Sequence, residues 1–137
     1  MTLFLLDTNT VSYIVHGRSA SARATLLNLK NADSACISAI SEGEIRYGLA
    51  RRPQATAFKA MMEKFVDSIR ILPWGSEEAQ AYGVLRASLQ RTGKPLGSLD
   101  MQIAAHAIAL NATLVTHDAA FRQVSDLPCI EDWATDV

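Results

Sequence analysis

Four acidic side chains stand where this chain of 137 residues could do chemistry: Asp7, Glu44, Asp100 and Asp118. Asp7 directly follows the apolar run Leu3-Phe4-Leu5-Leu6, and Asp118 follows Thr113-Leu114-Val115-Thr116 and His117. Such runs read as strands buried on both faces of a parallel sheet. Both carboxylates are therefore expected at the carboxyl ends of strands, the edge at which open α/β sheets bind ligands. Asp100 falls in the first turn of a helix expected to be capped by Ser98, heading a stripe of Ile103, Ala104, Ala107 and Ile108. Glu42 and Glu44 share one helix, and helical angle separates them. Glu42 faces solvent and pairs with Arg46 at i,i+4, whereas Glu44 falls with Ile40, Ser41, Tyr47 and Gly48 on the apolar side. An unpaired carboxylate there is too costly to be casual. Each acid alone also has a structural reading, as a turn former, a helix cap or a partner of the helix dipole. At Asp7 the cap is assigned instead to Thr8 or Asn9, which would orient Asp7 and leave it free to bind.

No lysine or arginine is placed among these acids in sequence. Two bare carboxylates about 4 Å apart repel by about 4 kcal/mol at a surface-like dielectric. The group must take up protons or hold a cation, and hard oxygen ligands favour Mg²⁺, with Mn²⁺ able to substitute. A cation held this way can activate water and stabilise charge on a phosphoryl group.

The elements that position the acids alternate along the chain. Strands are expected at 3–6, 35–37, 69–72 and 113–116, with a short apolar run at Cys129-Ile130. Helices are expected over Asn9 to His16 (stopped by Gly17), Ser19 to Lys30 and Ala39 to Arg52. Others are expected from Pro53 to Asp67, from Ser76 as cap to Gln90, and from Ser98 to Asn111. In the second of these helices Ala22, Leu26, Leu27 and Leu29 form the inner side. In the fourth, Phe58, Met61, Met62 and Phe65 make a stripe read as core packing, with a partner groove as the alternative. The loop Arg91-Thr92-Gly93-Lys94-Pro95-Leu96-Gly97 is turn-rich and basic at both ends. Strands separated by helices throughout, with no linker or repeat, describe one α/β domain over 1–137, a central mainly parallel sheet flanked by helices.

Composition supports an ordinary globular domain, with 49% hydrophobic and 20% charged residues. The net charge of −1 carries no bulk signal for nucleic acid, so such a partner must be met by local patches. Cys36 and Cys129 are too few for a disulfide framework or zinc site and are expected as buried thiols in a reducing cytoplasm. No signal sequence or apolar run near 18 residues suggests a membrane.

With these motifs in order, the chain resembles the PIN-domain family, in particular the VapC-type toxins of bacterial toxin–antitoxin pairs. The resemblance rests on Leu5-Leu6-Asp7-Thr8-Asn9, then Ile37-Ser38 with Glu44-Ile45-Arg46-Tyr47-Gly48. It continues through Gly93-Lys94-Pro95-Leu96-Gly97-Ser98-Leu99-Asp100, Ile103-Ala104-Ala105-His106-Ala107 and Leu114-Val115-Thr116-His117-Asp118 with Phe121. It implies a metal-dependent endoribonuclease with its acids at Asp7, Glu44, Asp100 and Asp118. It also implies a homodimer neutralised by a cognate antitoxin, and cleavage of tRNA, often in the anticodon loop of the initiator. On this basis Asp7 and Asp100 are expected to bind Mg²⁺ directly and Asp118 to assist directly or through water. Glu44 would orient or deprotonate the attacking water. Arg46, Arg51, Arg52, Arg91 and Lys94 are candidate phosphate contacts, His106 is read as structural and His16 as a surface residue. The rivals are a phosphatase of the haloacid dehalogenase type, which needs an acid where Asn9 stands, and a module that binds RNA or protein without cutting. A DNA-cutting relative of the same fold also stays open.

Overall fold

A computed structural model describes residues 1–137. Five strands, β1 (Leu3–Leu6), β2 (Ser34–Ser38), β3 (Arg70–Leu72), β4 (Thr113–Val115) and β5 (Cys129–Glu131), form one sheet in the order β3-β2-β1-β4-β5. Every pairing is parallel. The helices are α1 (Thr8–Val15), α2 (Ala20–Leu27), α3 (Ala39–Arg51), α4 (Thr56–Ser68), α5 (Ser76–Arg91) and α6 (Ser98–Leu110), with a 3₁₀ turn at Ala119–Gln123. Strand order runs outward from β1 in both directions, so the sheet changes winding between β1 and β4. That is the crevice at which doubly wound sheets bind ligands.

The pleat of β1 divides the core. Phe4 and Leu6 point to one face, with Ile37, Val115 and Trp133, under Val11 and Ile14 of α1, Ile45 and Leu49 of α3, and Met62 and Val66 of α4. Leu5 points to the other, with Cys36 and Leu114, under Leu85 and Leu89 of α5 and Ile103 to Ala107 of α6. The strands are thus apolar on both faces because both are roofed by helices. No helix is long and apolar enough to cross a membrane.

Several sequence expectations need correcting. Of the expected inner side of the second helix, Ala22 is buried and Leu26 and Leu29 pack partly buried against the core, but Leu27 is 72% exposed. The helix after Pro53 begins later, at Thr56, with Pro53 in the preceding turn. In α4, Met62 is buried and Phe58 and Phe65 pack against the core as expected, with Val66 added, while Met61 is exposed. The caps of α5 and α6 are Gly75 and Gly97, with Ser76 and Ser98 as first helical residues. Gly75 N–H instead donates to Glu78 Oε1 at 2.8 Å. Cys36 is buried and its thiol is pushed up to about 11 by burial, whereas Cys129 lies exposed on edge strand β5. His16 is exposed at the end of α1 with its ring stacked 4.6 Å from Phe58. Asn111 closes α6 in the left-handed conformation (φ 52°), which Asn tolerates well.

Candidate active site

Asp7 leaves the end of β1 at the crevice, and its backbone N–H still donates to Val115 of β4. Its side chain is 4% exposed and both oxygens are engaged. Oδ1 accepts from the Thr10 N–H at 2.8 Å, which makes Asp7 the N-cap of α1, in place of the expected Thr8 or Asn9. Oδ2 accepts from the Thr116 hydroxyl at 2.6 Å. Each oxygen keeps a lone pair, so capping and binding are compatible. Burial raises the Asp7 pKa, the Thr116 and Thr10 bonds oppose the rise, and the charge of Asp118 adds to it.

Thr116, which the sequence did not single out, ties the two strand-end acids together. Its hydroxyl also accepts from the Asp118 N–H at 3.0 Å. Asp118 Oδ1 then accepts from the Ala120 N–H at 2.9 Å, starting the 3₁₀ turn and leaving Oδ2 unengaged. Nothing local in the sequence marks Thr116: it follows β4 and meets Asp7 only in the fold.

Glu44 enters from α3. Ser38 caps this helix through the Ile40 N–H, and its buried stripe is Ser41, Ile45 and Leu49. Glu44 flanks that stripe, half-buried, while Tyr47, expected on the apolar side, is 66% exposed. Glu44 Oε1 accepts from the Thr8 hydroxyl at 2.6 Å, and Thr8 Oγ1 lies 3.0 Å from Ser41 Oγ. Thr8 therefore orients Glu44, not Asp7, and leaves Oε2 free. Glu42 pairs with Arg46 at 3.0 Å on the solvent face, as its helical angle requires.

Asp100 sits in the first turn of α6, and Gly97 packs so close that an added Cβ would come within 3.4 Å of Asp100 Oδ2. Its pKa is raised by burial first, then by the charges of Glu44, Asp118 and Asp7. All four predicted acids thus share one electrostatic neighbourhood, and none takes part in an ion pair. No three of them close into a ready-made metal cage. The candidate phosphate contacts stand outside: Arg46 on Glu42, Arg51 over the Tyr47 ring, and Arg52, Arg91 and Lys94 on the exposed surface. His106 is wholly buried with neither ring nitrogen bonded, and burial lowers its pKa, so it is a neutral packing residue, as expected.

Comparison with known proteins agrees with this architecture. The PIN-domain family model matches residues 4–127. Over 135 residues the chain is 34% identical to the tRNA(fMet)-specific endonuclease VapC of Shigella flexneri, covering 98% of this chain and all of that one. It is 30% identical over 132 residues to Ribonuclease VapC2 of Rickettsia felis, covering 96% and 98%. Among solved structures, VapBC2 from Rickettsia felis bound to a promoter DNA fragment matches with a TM-score of 0.89 at 30% identity, over 96% of this chain and 99% of that one.

Proposed function

The chain belongs to the PIN-domain family, and from its VapC relatives and its site we propose that it is a metal-dependent endoribonuclease, the toxin of a toxin–antitoxin pair. The observation that carries this reading is the convergence of four unpaired carboxylates at the switch point of a parallel sheet. Burial and the neighbouring acids disfavour the charge on Asp7 and on Asp100, and a divalent cation would relieve that cost. The donors are all hard oxygens, which fits Mg²⁺ or Mn²⁺. Mg²⁺ keeps several waters and is commonly met by only one or two carboxylates, so it does not require a closed cage of protein ligands, and none is formed here. Asp7 and Asp100 are the direct ligands in this reading, with Asp118 Oδ2 acting directly or through water. Bound there, the cation supplies Lewis-acid activation of water and neutralises phosphoryl charge.

The chain's own groups do the rest. Thr10 and Thr116 fix the two oxygens of Asp7, so its remaining lone pairs present a defined direction. Thr8 holds Glu44 by Oε1, and Oε2 is the base that takes a proton from the attacking water. In-line attack on the phosphodiester then leaves a 5′-phosphate and a 3′-hydroxyl. The substrate is tRNA, with the initiator tRNA that the Shigella relative is named for as the first candidate and its anticodon loop, which the family resemblance implies, as the place of cleavage. The protein works in the cytoplasm as a homodimer.

The antitoxin has a fitting surface. A groove of about 430 Å³ between α1, α2 and α4 exposes Leu27 and Met61 beside Ile14, Leu26 and Phe65, with Arg23 and Lys64 at its edge. An amphipathic helix with acidic flanks would cover it. The test of the activity is to incubate the purified protein with total bacterial RNA, with Mg²⁺ or with EDTA, and to sequence the new ends. Discrete tRNA fragments bearing 5′-phosphates, formed only with the metal, support the reading; no fragment from any RNA refutes it.

A further inference from the structure

Between Glu78 and Asp100 the chain carries no acidic residue, and Arg86, Arg91 and Lys94 are its only charges there. The fold turns this run into a groove. α5 ends at Arg91, and Gly93 in the left-handed conformation (φ 65°) reverses the chain, so that the Lys94 N–H donates back to the Leu89 carbonyl at 3.0 Å. Arg86 and Lys94 flank a concavity of about 320 Å³, and Leu89, Leu96 and Met101 form its floor against the core. Arg86 Nη1 donates to the Tyr82 hydroxyl at 3.0 Å, which holds the guanidinium and leaves most of its donors free. Neither Arg86 nor Lys94 takes part in an ion pair.

Two features place the groove beside the acids. Gln123 Nε2 donates to the Pro95 carbonyl at 3.1 Å, tying the loop to the 3₁₀ turn that Asp118 caps. Met101, in the floor, directly follows Asp100 in the first turn of α6. Leu99, which lies against α3, stands about 200° round the helix from Met101, so the groove is on the far side of α6 from α3. A strand laid across four carboxylates is repelled at each phosphate that no cation meets, and here two unpaired cations stand one loop away from Asp100 and Asp118. A guanidinium fork and an ammonium both suit phosphate oxygens.

Building on the ribonuclease reading, we propose that this groove is a phosphate subsite, in which Arg86 and Lys94 hold a backbone phosphate of the RNA strand next along from the one that is cut. The contact carries no base information; it adds affinity and sets the strand in register over the acids.

Charge removal and neutral phosphates test this together. Arg86→Gln/Lys94→Gln removes both cations at exposed positions, and Gln supports a helix about as well as Arg. Lys30→Gln/Arg70→Gln removes the same charge from exposed positions at the amino edge of the sheet, before β2 and at the start of β3. Cleavage of a tRNA stem–loop should lose roughly tenfold in kcat/KM in the first, mostly through KM, and be unchanged in the second. Each lost contact lowers the salt slope of single-strand binding by about 0.7, so in Asp7→Asn protein an about fourfold rise in salt should weaken RNA binding about sevenfold less once Arg86 and Lys94 are replaced. Arg86→Lys/Lys94→Arg keeps both charges and should keep the slope. A methylphosphonate scanned through the loop should impair binding at a position next to the cut, and should add nothing there in Arg86→Gln/Lys94→Gln. Wild-type cleavage with KM and salt slope unchanged in that variant overturns the subsite and leaves the ribonuclease reading intact. Equal losses in Lys30→Gln/Arg70→Gln, or a methylphosphonate effect that survives without Arg86 and Lys94, make the attraction non-local and overturn the subsite as well. No cleavage by wild type, with binding that still depends on Arg86 and Lys94, overturns the activity and leaves the phosphate contact. Loss of antitoxin capture, or a changed oligomeric state on light scattering, with RNA binding intact makes the groove a protein contact and overturns the proposal.

Discussion

Replacing Thr116 by Val exchanges a buried hydroxyl for a methyl of nearly the same shape. Thr116 is 3% exposed, and the change deletes the 2.6 Å bond to Asp7 Oδ2 and the acceptor of the Asp118 N–H. A hydrogen bond to a charged group contributes about 1.5–3 kcal/mol and a neutral one about 1 kcal/mol, so the variant should lose about 2–4 kcal/mol of stability at neutral pH. For a chain of this length 1 kcal/mol shifts Tm by about 3.5 °C, and the expected fall is about 7–14 °C. The pH dependence carries the sharper test. The folded pKa of Asp7 lies above its ordinary value because of burial, and the Thr116 bond holds it down. Without that bond it rises further. The stability gap between variant and wild type should be full well above the folded pKa of Asp7 and should narrow as pH falls through it, to the part that comes from the lost Asp118 N–H bond. The acidic limb of the cleavage profile should move to higher pH. Thermal melts in EDTA across pH, with single-turnover cleavage profiles, measure both. Thr116→Ser should resemble wild type. Equal melting temperatures at pH 7 and superimposable cleavage profiles for wild type and Thr116→Val would refute the assignment of Thr116 as the clamp on Asp7.

Other perturbations follow from the same geometry. Thr8→Val frees Glu44 Oε1 and should lower kcat by about tenfold or more with little change in KM, as single-turnover and steady-state rates would show together. Asp100→Asn should abolish cleavage yet raise Tm in metal-free buffer, because the native site disfavours the charged form through burial and through Glu44, Asp118 and Asp7. A carboxyl whose folded pKa is raised weakens the fold above that pKa, so the gain should be complete there and disappear below the ordinary carboxylate range, which melts at several pH values would reveal. Leu27→Asp should break capture of the antitoxin while leaving RNA cleavage unchanged, since Leu27 is exposed in the α1–α2–α4 groove away from the acids; co-purification and a cleavage assay on the same preparation separate the two.

Much of this was legible in the chain. Leu3–Leu6 read as a strand because an uninterrupted apolar run bounded by Asp7 has few other uses, and the strand expected at Ile69–Leu72, closed by Pro73, is found at Arg70–Leu72. Glu42 and Glu44 were separated correctly by angle alone, since an i,i+4 partner such as Arg46 identifies a solvent face. The roles of the threonines were not legible. Thr116 acts on a residue 109 positions away and Thr8 on one 36 away, and nothing local in sequence marks a hydroxyl with a distant partner. Treating cap and catalytic acid as alternatives for Asp7 was the error that mattered, because a carboxylate has lone pairs enough for both. Leu27, Met61 and Tyr47 show a different limit: periodicity tells which side of a helix is apolar, but not whether anything in the same chain covers it.

In the proposed mechanism the acids cut RNA only together with a divalent cation. Its most direct test is cleavage of purified initiator tRNA across a Mg²⁺ titration, comparing wild type with Asp7→Asn and Asp100→Asn. The expected result is saturable Mg²⁺-dependent cleavage by wild type, restored by Mn²⁺ after EDTA treatment, and none by either variant. Cleavage that persists in EDTA, or in Asp7→Asn protein of verified fold and purity, would contradict it.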